Sequence, residues 1–100
     1  MQKMIGFIQE HYAEDVSLQD IANAASISRS EASRCFQSYL HTSPVNYLLK
    51  YRVERSMQLL RDGNMTVEAV ALECGFSSSA YFCKLFRSHT GMTPKQYRSK

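Results

Sequence analysis

Residues 75–91 read GFSSSAYFCKLFRSHTG, and this stretch decides the fold. A glycine and a phenylalanine are followed by three serines, which are residues that cap and begin helices. After the serines, apolar side chains recur at the three- and four-residue spacing of one helical face, and Lys84 and Arg87 lie away from that face. The pattern predicts a turn followed by an amphipathic helix over about 78–90, which ends at the glycine at 91.

The same pattern occurs once earlier in the chain. An offset of 49 residues aligns the first part of the two copies, and an offset of 50 aligns the rest because the later copy has one extra residue. The aligned pairs are Ser17 with Thr66, Ile21 with Val70, Ile27 with Phe76, Ser28 with Ser77, Arg34 with Lys84, Phe36 with Phe86 and Pro44 with Pro94. Each copy predicts a short helix, a turn with a buried Ile or Phe, and a longer helix, which is the layout of a helix-turn-helix.

Helix-start signals predict seven helices in all. Ser43-Pro44 and Thr93-Pro94 each combine a capping hydroxyl with a proline at the first helical position. The predicted fold is therefore all-α, with two helix-turn-helix subdomains joined by a long linker helix. The predicted bounds are about 1–43 for subdomain one, about 44–61 for the linker helix and about 62–100 for subdomain two.

The linker helix sets a distance between the two predicted recognition helices, at about 29–40 and about 78–90. Residues 44–61 would span about 27 Å at roughly 1.5 Å per residue. Successive major-groove faces on one side of B-DNA lie ~34 Å apart. The two helices are thus expected to enter adjacent major grooves, and the duplex is expected to bend toward the protein.

Composition limits the classes of function. A chain of 100 residues has room for one domain, and not for an enzyme-sized cleft beside a regulatory module. Residues 1–28 hold one lysine against four acids, whereas residues 29–100 hold eleven basic residues against five acids. This asymmetry indicates a polyanionic partner for the later part of the chain, with surface charge for solubility as the alternative. Three cysteines without a C-x-x-C pair indicate reduced thiols in a cytosolic protein, and the sequence shows neither a signal-peptide nor a membrane-span pattern.

Several motifs together closely resemble the C-terminal signature of the AraC/XylS family of bacterial transcription activators. They are Ala71, Gly75-Phe76-Ser77, Tyr81-Phe82, Phe86, Gly91, Thr93-Pro94 and Tyr97-Arg98 in the second copy, with Ile21-Ala22, Phe36, Ser43-Pro44 and Tyr47 through Arg52 in the first copy and linker. The resemblance implies two helix-turn-helix subdomains that bind consecutive major-groove segments of double-stranded DNA and activate transcription through RNA polymerase. It also leaves two alternatives, a stand-alone activator or a fragment of a larger regulator whose small-molecule effector acts through a domain absent from this chain.

The resemblance places the base contacts on the second helix of each copy, counted back from its Phe. These candidates are Ser30, Ser33 and Arg34 in the first copy, and Ser79, Ala80, Tyr81, Cys83 and Lys84 in the second. Helical spacing puts most of them opposite the apolar stripe. Arg34 is the strongest base-contact candidate, because a guanidinium donates two hydrogen bonds to one guanine. The alternative is a solvated surface Arg. Lys84 reaches phosphate as readily as base, and Tyr81 is either a core ring or a groove contact.

Helix starts and flanking polar residues are candidate phosphate contacts, because free N–H groups and basic side chains attract anions. The candidates are Ser28, Arg29, Gln37, Ser77, Ser78 and Arg87. Ser28, and Ser77 with Ser78, are also predicted to cap their helices, and capping alone is the alternative for Ser28. Structural roles are predicted for Phe36, Phe86, Pro44, Pro94 and Arg52. Arg52 points along the predicted buried seam of the linker helix, where it needs a carboxylate such as Asp20 or Glu68.

Catalytic and metal-binding patterns are absent from the sequence. The three histidines, His11, His41 and His89, have neither metal-ligand spacing nor a paired nucleophile. We therefore expect no metal, no cofactor and no enzymatic activity. The alternative to a DNA-binding domain is a helical protein-interaction module, whose basic faces dock on RNA polymerase or another acidic partner and contact DNA weakly.

Overall fold

A computed structural model describes residues 1–99 of the chain. In this part, all regular secondary structure is helical, and the prediction of an all-α fold with seven helices is confirmed. The helices are α1 (Gln2–His11), α2 (Leu18–Ala24), α3 (Arg29–Leu40), α4 (Pro44–Asp62), α5 (Val67–Glu73), α6 (Ser79–Thr90) and α7 (Pro94–Arg98).

The chain divides into two compact units, unit 1 (Met1–Tyr51) and unit 2 (Arg52–Lys100). The boundary lies inside α4, so each unit takes part of this helix in addition to one helix-turn-helix. Unit 1 contains the α2–α3 pair and unit 2 contains the α5–α6 pair.

The core of unit 1 collects one apolar face from each of its four helices. Met4 and Ile8 from α1, Ile21 from α2, Phe36 from α3 and Leu48 from α4 are buried together. Fully burying an aliphatic or aromatic side chain of this size contributes about 1.5–3 kcal/mol. Because Phe36 is held in this cluster, the opposite face of α3 is turned toward solvent.

A series of packed aromatic rings contributes to the core of unit 2, together with buried aliphatic residues of α4 and α5. The rings of Phe76 and Phe82 lie 5.0 Å apart between centroids, Phe82 and Phe86 lie 5.7 Å apart, and Phe86 and Tyr97 lie 5.6 Å apart. The Phe82–Phe86 and Phe86–Tyr97 pairs are edge-to-face, and each such pair adds about 0.5–1.5 kcal/mol beyond burial. The series joins the helix-turn-helix turn, α6 and α7, and it fixes the orientation of α6.

Side-chain caps begin five of the helices as the sequence predicts. The capping hydroxyls belong to Ser17 for α2, Ser28 for α3, Ser43 for α4, Thr66 for α5 and Thr93 for α7. Each hydroxyl accepts a hydrogen bond from the backbone N–H three residues later. Ser17, Ser28 and Thr93 form reciprocal capping boxes, in which the side chain at that third position accepts from the cap backbone.

The prediction that Ser77 and Ser78 together cap α6 needs correction. Ser78 alone is the cap, because its hydroxyl accepts from the N–H of Tyr81 at 3.1 Å, and the helix begins at Ser79. Ser77 is exposed one residue earlier. The structure therefore pairs Ser28 with Ser78, and the extra residue of the second copy lies in the turn before the cap.

Helical spacing predicts that Tyr39 and Leu40 of α3 and Val45 of α4 lie on apolar faces, but all three residues are exposed. Tyr39 is 72% exposed and Leu40 is 38% exposed in the last turn of α3, and Val45 is 43% exposed in the first turn of α4. The buried cluster takes Ala32 and Phe36 from α3 and does not include that last turn. Helical spacing therefore identified the correct side of α3 but overestimated the length of its buried stripe.

Candidate nucleic-acid interface

The predicted contact residues of unit 1 lie on the outer face of α3. Arg29, Ser30, Arg34 and Gln37 are exposed, and Ser33 is half-buried. Ser28 is also exposed, at the cap position of the same helix. Because Ala32 and Phe36 hold the opposite side in the core, these residues form one polar surface.

The corresponding surface of unit 2 lies on α6. Ala80, Lys84 and Arg87 are exposed along this helix, and Ser79 and Cys83 are half-buried. Phe82 and Phe86 are fully buried on the other side. The two copies thus present equivalent faces, and the predicted structural roles of Phe36 and Phe86 agree with their burial.

Tyr81 packs against the core and is also partly exposed. Its ring lies edge-on to the Phe76 ring at 6.2 Å between centroids, while 46% of the residue remains exposed. The ring therefore packs against Phe76 at the start of α6 while nearly half of the residue is exposed, and its groove contact stays a prediction.

A shallow groove of about 500 Å³ brings together three predicted contact residues of unit 2. It is lined by Cys83, Lys84, Arg87, Ser88 and Thr93. Two cations and two hydroxyl groups share this groove, and Thr93 is also the cap of α7. An arrangement of this kind suits a phosphate oxygen, because the cations supply charge and the hydroxyls donate hydrogen bonds.

Unit 1 has a groove of about 640 Å³ in a different place. Its lining is Met1, Gln2, Lys3, Met4, Ala25, Ile27, Cys35 and Tyr39, and it includes none of the predicted contact residues of α3. The lining is mainly apolar, so this groove does not share the phosphate-binding character of the groove in unit 2.

The starts of α3 and α6 differ in charge. The first turn of α6 contains no acidic residue, whereas the first turn of α3 contains Glu31. The Oε1 atom of Glu31 accepts from the Ser28 N–H at 3.3 Å and from the Ser28 hydroxyl at 3.1 Å. Sequence analysis did not single out Glu31, although the Ser-x-x-Glu spacing is that of a capping box and Glu31 aligns with Tyr81 in the repeat.

Structural roles are predicted for Pro44, Pro94 and Arg52, and these residues are buried or half-buried. Pro44 and Pro94 are buried at the starts of their helices. Arg52 is half-buried, and its guanidinium carbon lies 5.9 Å from the centroid of the Phe76 ring. The predicted pairing of Arg52 with a carboxylate stays a prediction, and the aromatic ring is a contact that the sequence reading did not include.

Two ionisable groups have pKa values displaced from their ordinary ones. Hydrogen bonds from the backbone and side chain of Ser17 lower the pKa of Asp20 below 3.8. Burial raises the pKa of the Cys74 thiol to about 11. Cys74 is therefore a protonated core residue, whereas Cys35 and Cys83 are half-buried free thiols.

Residues 1–99 contain no group of three or more His, Cys, Asp or Glu side chains placed to hold a metal ion. Within the same residues, no helix has both the length and the apolar character needed to cross a bilayer. The candidate site in each unit is thus a polar helix face on an aromatic and aliphatic core.

Two helix-turn-helix units in one chain define a class of DNA-binding protein, and the comparisons with known proteins identify the family. A family model described as a helix-turn-helix domain matches residues 21–100. A regulator from Chromobacterium violaceum, described as having an AraC-type DNA-binding domain, shares 33% identity and superimposes with a TM-score of 0.93, covering 98% of this chain and 88% of that chain. The chain belongs to the family of AraC-type helix-turn-helix domains.

A second solved structure is the DNA-binding domain of AdpA, described as a global transcriptional factor, in complex with a target DNA. It shares 30% identity, with a TM-score of 0.92, and the match covers 98% of this chain and 88% of that chain. Both structures match nearly all of this chain, and the AdpA domain was solved bound to DNA.

Longer relatives match over nearly the whole chain. The HTH-type transcriptional regulator YdeC of Bacillus subtilis is 38% identical over 98 residues, which are 98% of this chain and 34% of that protein. The regulator GbdR of Pseudomonas aeruginosa is 36% identical over 98 residues, or 27% of its length. This chain thus spans between about a quarter and a third of the length of these relatives, which are named as transcriptional regulators.

Proposed function

We propose that this chain binds double-stranded DNA sequence-specifically and regulates transcription, with α3 and α6 entering adjacent major grooves. The proposed organisation is subdomain one over about 1–43, the linker helix over about 44–61 and subdomain two over about 62–100. The base-contact and phosphate-contact residues given above carry the proposed interface. Catalysis is not part of the proposed role.

The observation that carries the proposal is the repeated outer face of α3 and α6. In both copies a buried Phe, either Phe36 or Phe86, holds the helix, and a basic residue two positions earlier, Arg34 or Lys84, is exposed on the opposite side. Recognition helices of helix-turn-helix proteins insert such faces into the major groove, where their first turns contact base edges. Two equivalent faces in one chain support two consecutive contacts on one duplex.

The charges on these faces support DNA as the ligand. Neutralising phosphates with Lys and Arg releases counterions, which favours binding and makes the affinity dependent on salt. Lys84 and Arg87 lie in the groove of unit 2 without an acidic neighbour in its lining. In the same groove, the hydroxyl groups of Ser88 and Thr93 add donors suited to phosphate oxygens.

A salt titration of DNA affinity tests the proposal. The duplex is recovered by selecting bound fragments from a randomised pool, and its dissociation constant is measured over a series of salt concentrations. We expect a steep linear log–log dependence, and we expect Arg87→Ala to reduce its slope by about one. Lys3→Ala, which removes an exposed charge from α1, is the matched control and should leave the slope unchanged. Weak binding at every salt concentration would favour the protein-interaction module instead.

We further propose RNA polymerase as a partner and the bacterial cytoplasm as the location. The relatives are bacterial transcriptional regulators, and an activator of this kind acts by touching polymerase while bound to DNA. Because the chain spans between about a quarter and a third of their length, a small-molecule effector would act through a domain outside this chain. A pull-down of polymerase on operator DNA, with and without the protein, tests the partner.

A further inference from the structure

We propose that Glu31 is a specificity-determining residue, and that its carboxylate selects cytosine at one base pair read by unit 1. This inference rests on the proposed DNA-binding function and adds a residue to the base contacts. The supporting observations are the position of Glu31 in the repeat, the hydrogen bonds of its carboxylate and the exposure of its side chain.

The repeat places Glu31 in the first turn of α3, which is the part of a recognition helix that contacts bases. Both recognition helices are counted from a serine cap, Ser28 or Ser78, and the third residue after the cap is Glu31 in α3 and Tyr81 in α6. Recognition helices contact base edges with their first turns. Glu31 is exposed in that first turn, one helical turn before Arg34.

The capping box fixes the Glu31 carboxylate through only one of its two oxygens. The Glu31 N–H donates to the Ser28 hydroxyl at 3.1 Å, and both return bonds from Ser28 go to Oε1. The other oxygen, Oε2, is left to accept a hydrogen bond from a group outside the cap. The side chain is therefore held at the helix start, which reduces the conformational entropy lost when it meets a base.

The chemistry of a carboxylate then selects the base. An ionised carboxylate only accepts hydrogen bonds. In the major groove, the donors on base edges are the amino groups of cytosine and adenine, and adenine carries an acceptor, N7, beside its amino group. Guanine and thymine present acceptors at the same edge, and phosphate oxygens are negatively charged. Cytosine is therefore the base that Glu31 fits best.

The other recognition helix supplies the contrast. Tyr81 occupies the same position in α6, where its ring packs on Phe76. The equivalent of Phe76 in unit 1 is Ile27, which offers no aromatic ring. The two units therefore differ in chemistry at one equivalent position, and we expect them to read different bases there.

Selection of DNA fragments from a randomised pool tests this inference, using the full chain and two variants. Glu31→Gln keeps the capping box, because Gln accepts from the cap N–H as Glu does, but it adds a donor and removes the charge. Wild type should enrich cytosine at one base pair, and Glu31→Gln should reduce that preference by roughly fivefold or more while leaving other positions unchanged. Thermal unfolding should show that the variant stays folded.

Asp20→Asn is the matched control, because Asp20 closes the capping box of α2 in the same way but lies outside the recognition helices. It should leave every base preference intact. The inference is overturned if Glu31→Gln raises affinity equally for all sequences, since the carboxylate would then act only by repelling phosphate. If wild type selects no sequence, the proposed sequence-specific function itself fails. That outcome can be told apart from failure of the Glu31 inference, because wild type and both variants would then show no base preference.

Discussion

The guanidinium carbon of Arg52 lies 5.9 Å from the centroid of the Phe76 ring, inside unit 2. Phe76 is buried in the turn between α5 and α6, and Arg52 belongs to α4. A cation over an aromatic face contributes about 0.5–2 kcal/mol, and more when it is shielded from water. Through this contact, α4 supports the turn that positions the recognition helix of unit 2.

Arg52→Ala should therefore destabilise the protein and leave the DNA-contacting surface intact. We expect the free energy of unfolding to fall by about 1–2 kcal/mol, because the cation–π contact and the packed stem are both lost. Urea unfolding measures this change, and Lys50→Ala on the exposed side of α4 serves as the control. An unchanged melting temperature together with lost DNA binding would assign Arg52 to the DNA interface instead.

Arg34 and Lys84 should affect DNA binding in different ways, although they are equivalent in the repeat. Arg34→Ala should reduce the preference for guanine at one position by about 1–3 kcal/mol, because a bidentate contact is lost. Lys84→Ala should weaken binding to all sequences alike and lower the salt slope by about one, because an ammonium group acts as a point charge. Affinities for a set of single-base operator variants, measured at two salt concentrations, separate the two effects.

The three cysteines provide an internal footprinting experiment. Cys74 is fully buried and its thiol pKa is raised to about 11, so it should resist alkylation in the folded protein. Cys83 lines the groove on α6, whereas Cys35 lines the apolar groove of unit 1. Bound DNA should slow alkylation of Cys83 and leave that of Cys35 unchanged. Equal protection of both thiols, measured by mass spectrometry, would contradict this assignment of the DNA-contacting face.

The features predicted correctly from the sequence are those encoded by neighbouring residues. A serine or threonine cap involves atoms three residues apart, so Ser28 and Thr93 were identified from spacing alone. The repeat then revealed the architecture, because two aligned copies restrict the fold far more than a single helix-turn-helix pattern does. The family resemblance rested on the same residues, and the comparisons confirmed it.

The features that the sequence could not give depend on packing. Spacing does not show where a core ends, so Tyr39 was placed on an apolar face although it is 72% exposed. Two serines in succession have the same capping chemistry, and only the backbone conformation selects Ser78 over Ser77. The Arg52 contact with Phe76 joins residues 24 positions apart in the sequence, and no local pattern encodes it.

Replacing Gly6 or Gly91 with alanine should change the stability of the protein in opposite directions. Gly91 ends α6 with φ at +80°, and Gly6 lies within α1; an added Cβ would meet nothing within 4 Å at either position. Gly91→Ala should destabilise the protein by about 1–2 kcal/mol. The added methyl group meets no neighbour, but alanine disfavours the left-handed backbone conformation at this position. Gly6→Ala should stabilise it by about 0.5–1 kcal/mol through helix propensity. Chemical denaturation of both variants checks the signs.

The capping box of α2 should make stability depend on pH in the acid range. The pKa of Asp20 lies below its ordinary 3.8 because the Ser17 N–H and hydroxyl stabilise the ionised carboxylate. A pKa that is lower in the folded than in the unfolded state contributes stability above the unfolded value and loses it as the pH falls through the folded value. Wild type should therefore exceed Asp20→Asn in stability at neutral pH, and the difference should narrow below about pH 4.

Carboxyl titration by NMR locates the cause of this pH dependence. In Ser17→Ala the hydroxyl is lost while the Asp20 carboxylate and the backbone N–H remain, so the pKa of Asp20 should rise toward 3.8 without reaching it. The lowering of the Asp20 pKa that remains in Ser17→Ala then measures the hydrogen bond from the Ser17 N–H, which is the larger of the two contributions. A stability difference between wild type and Asp20→Asn that stays constant from neutral to acid pH would show that the ionised carboxylate does not contribute to the cap.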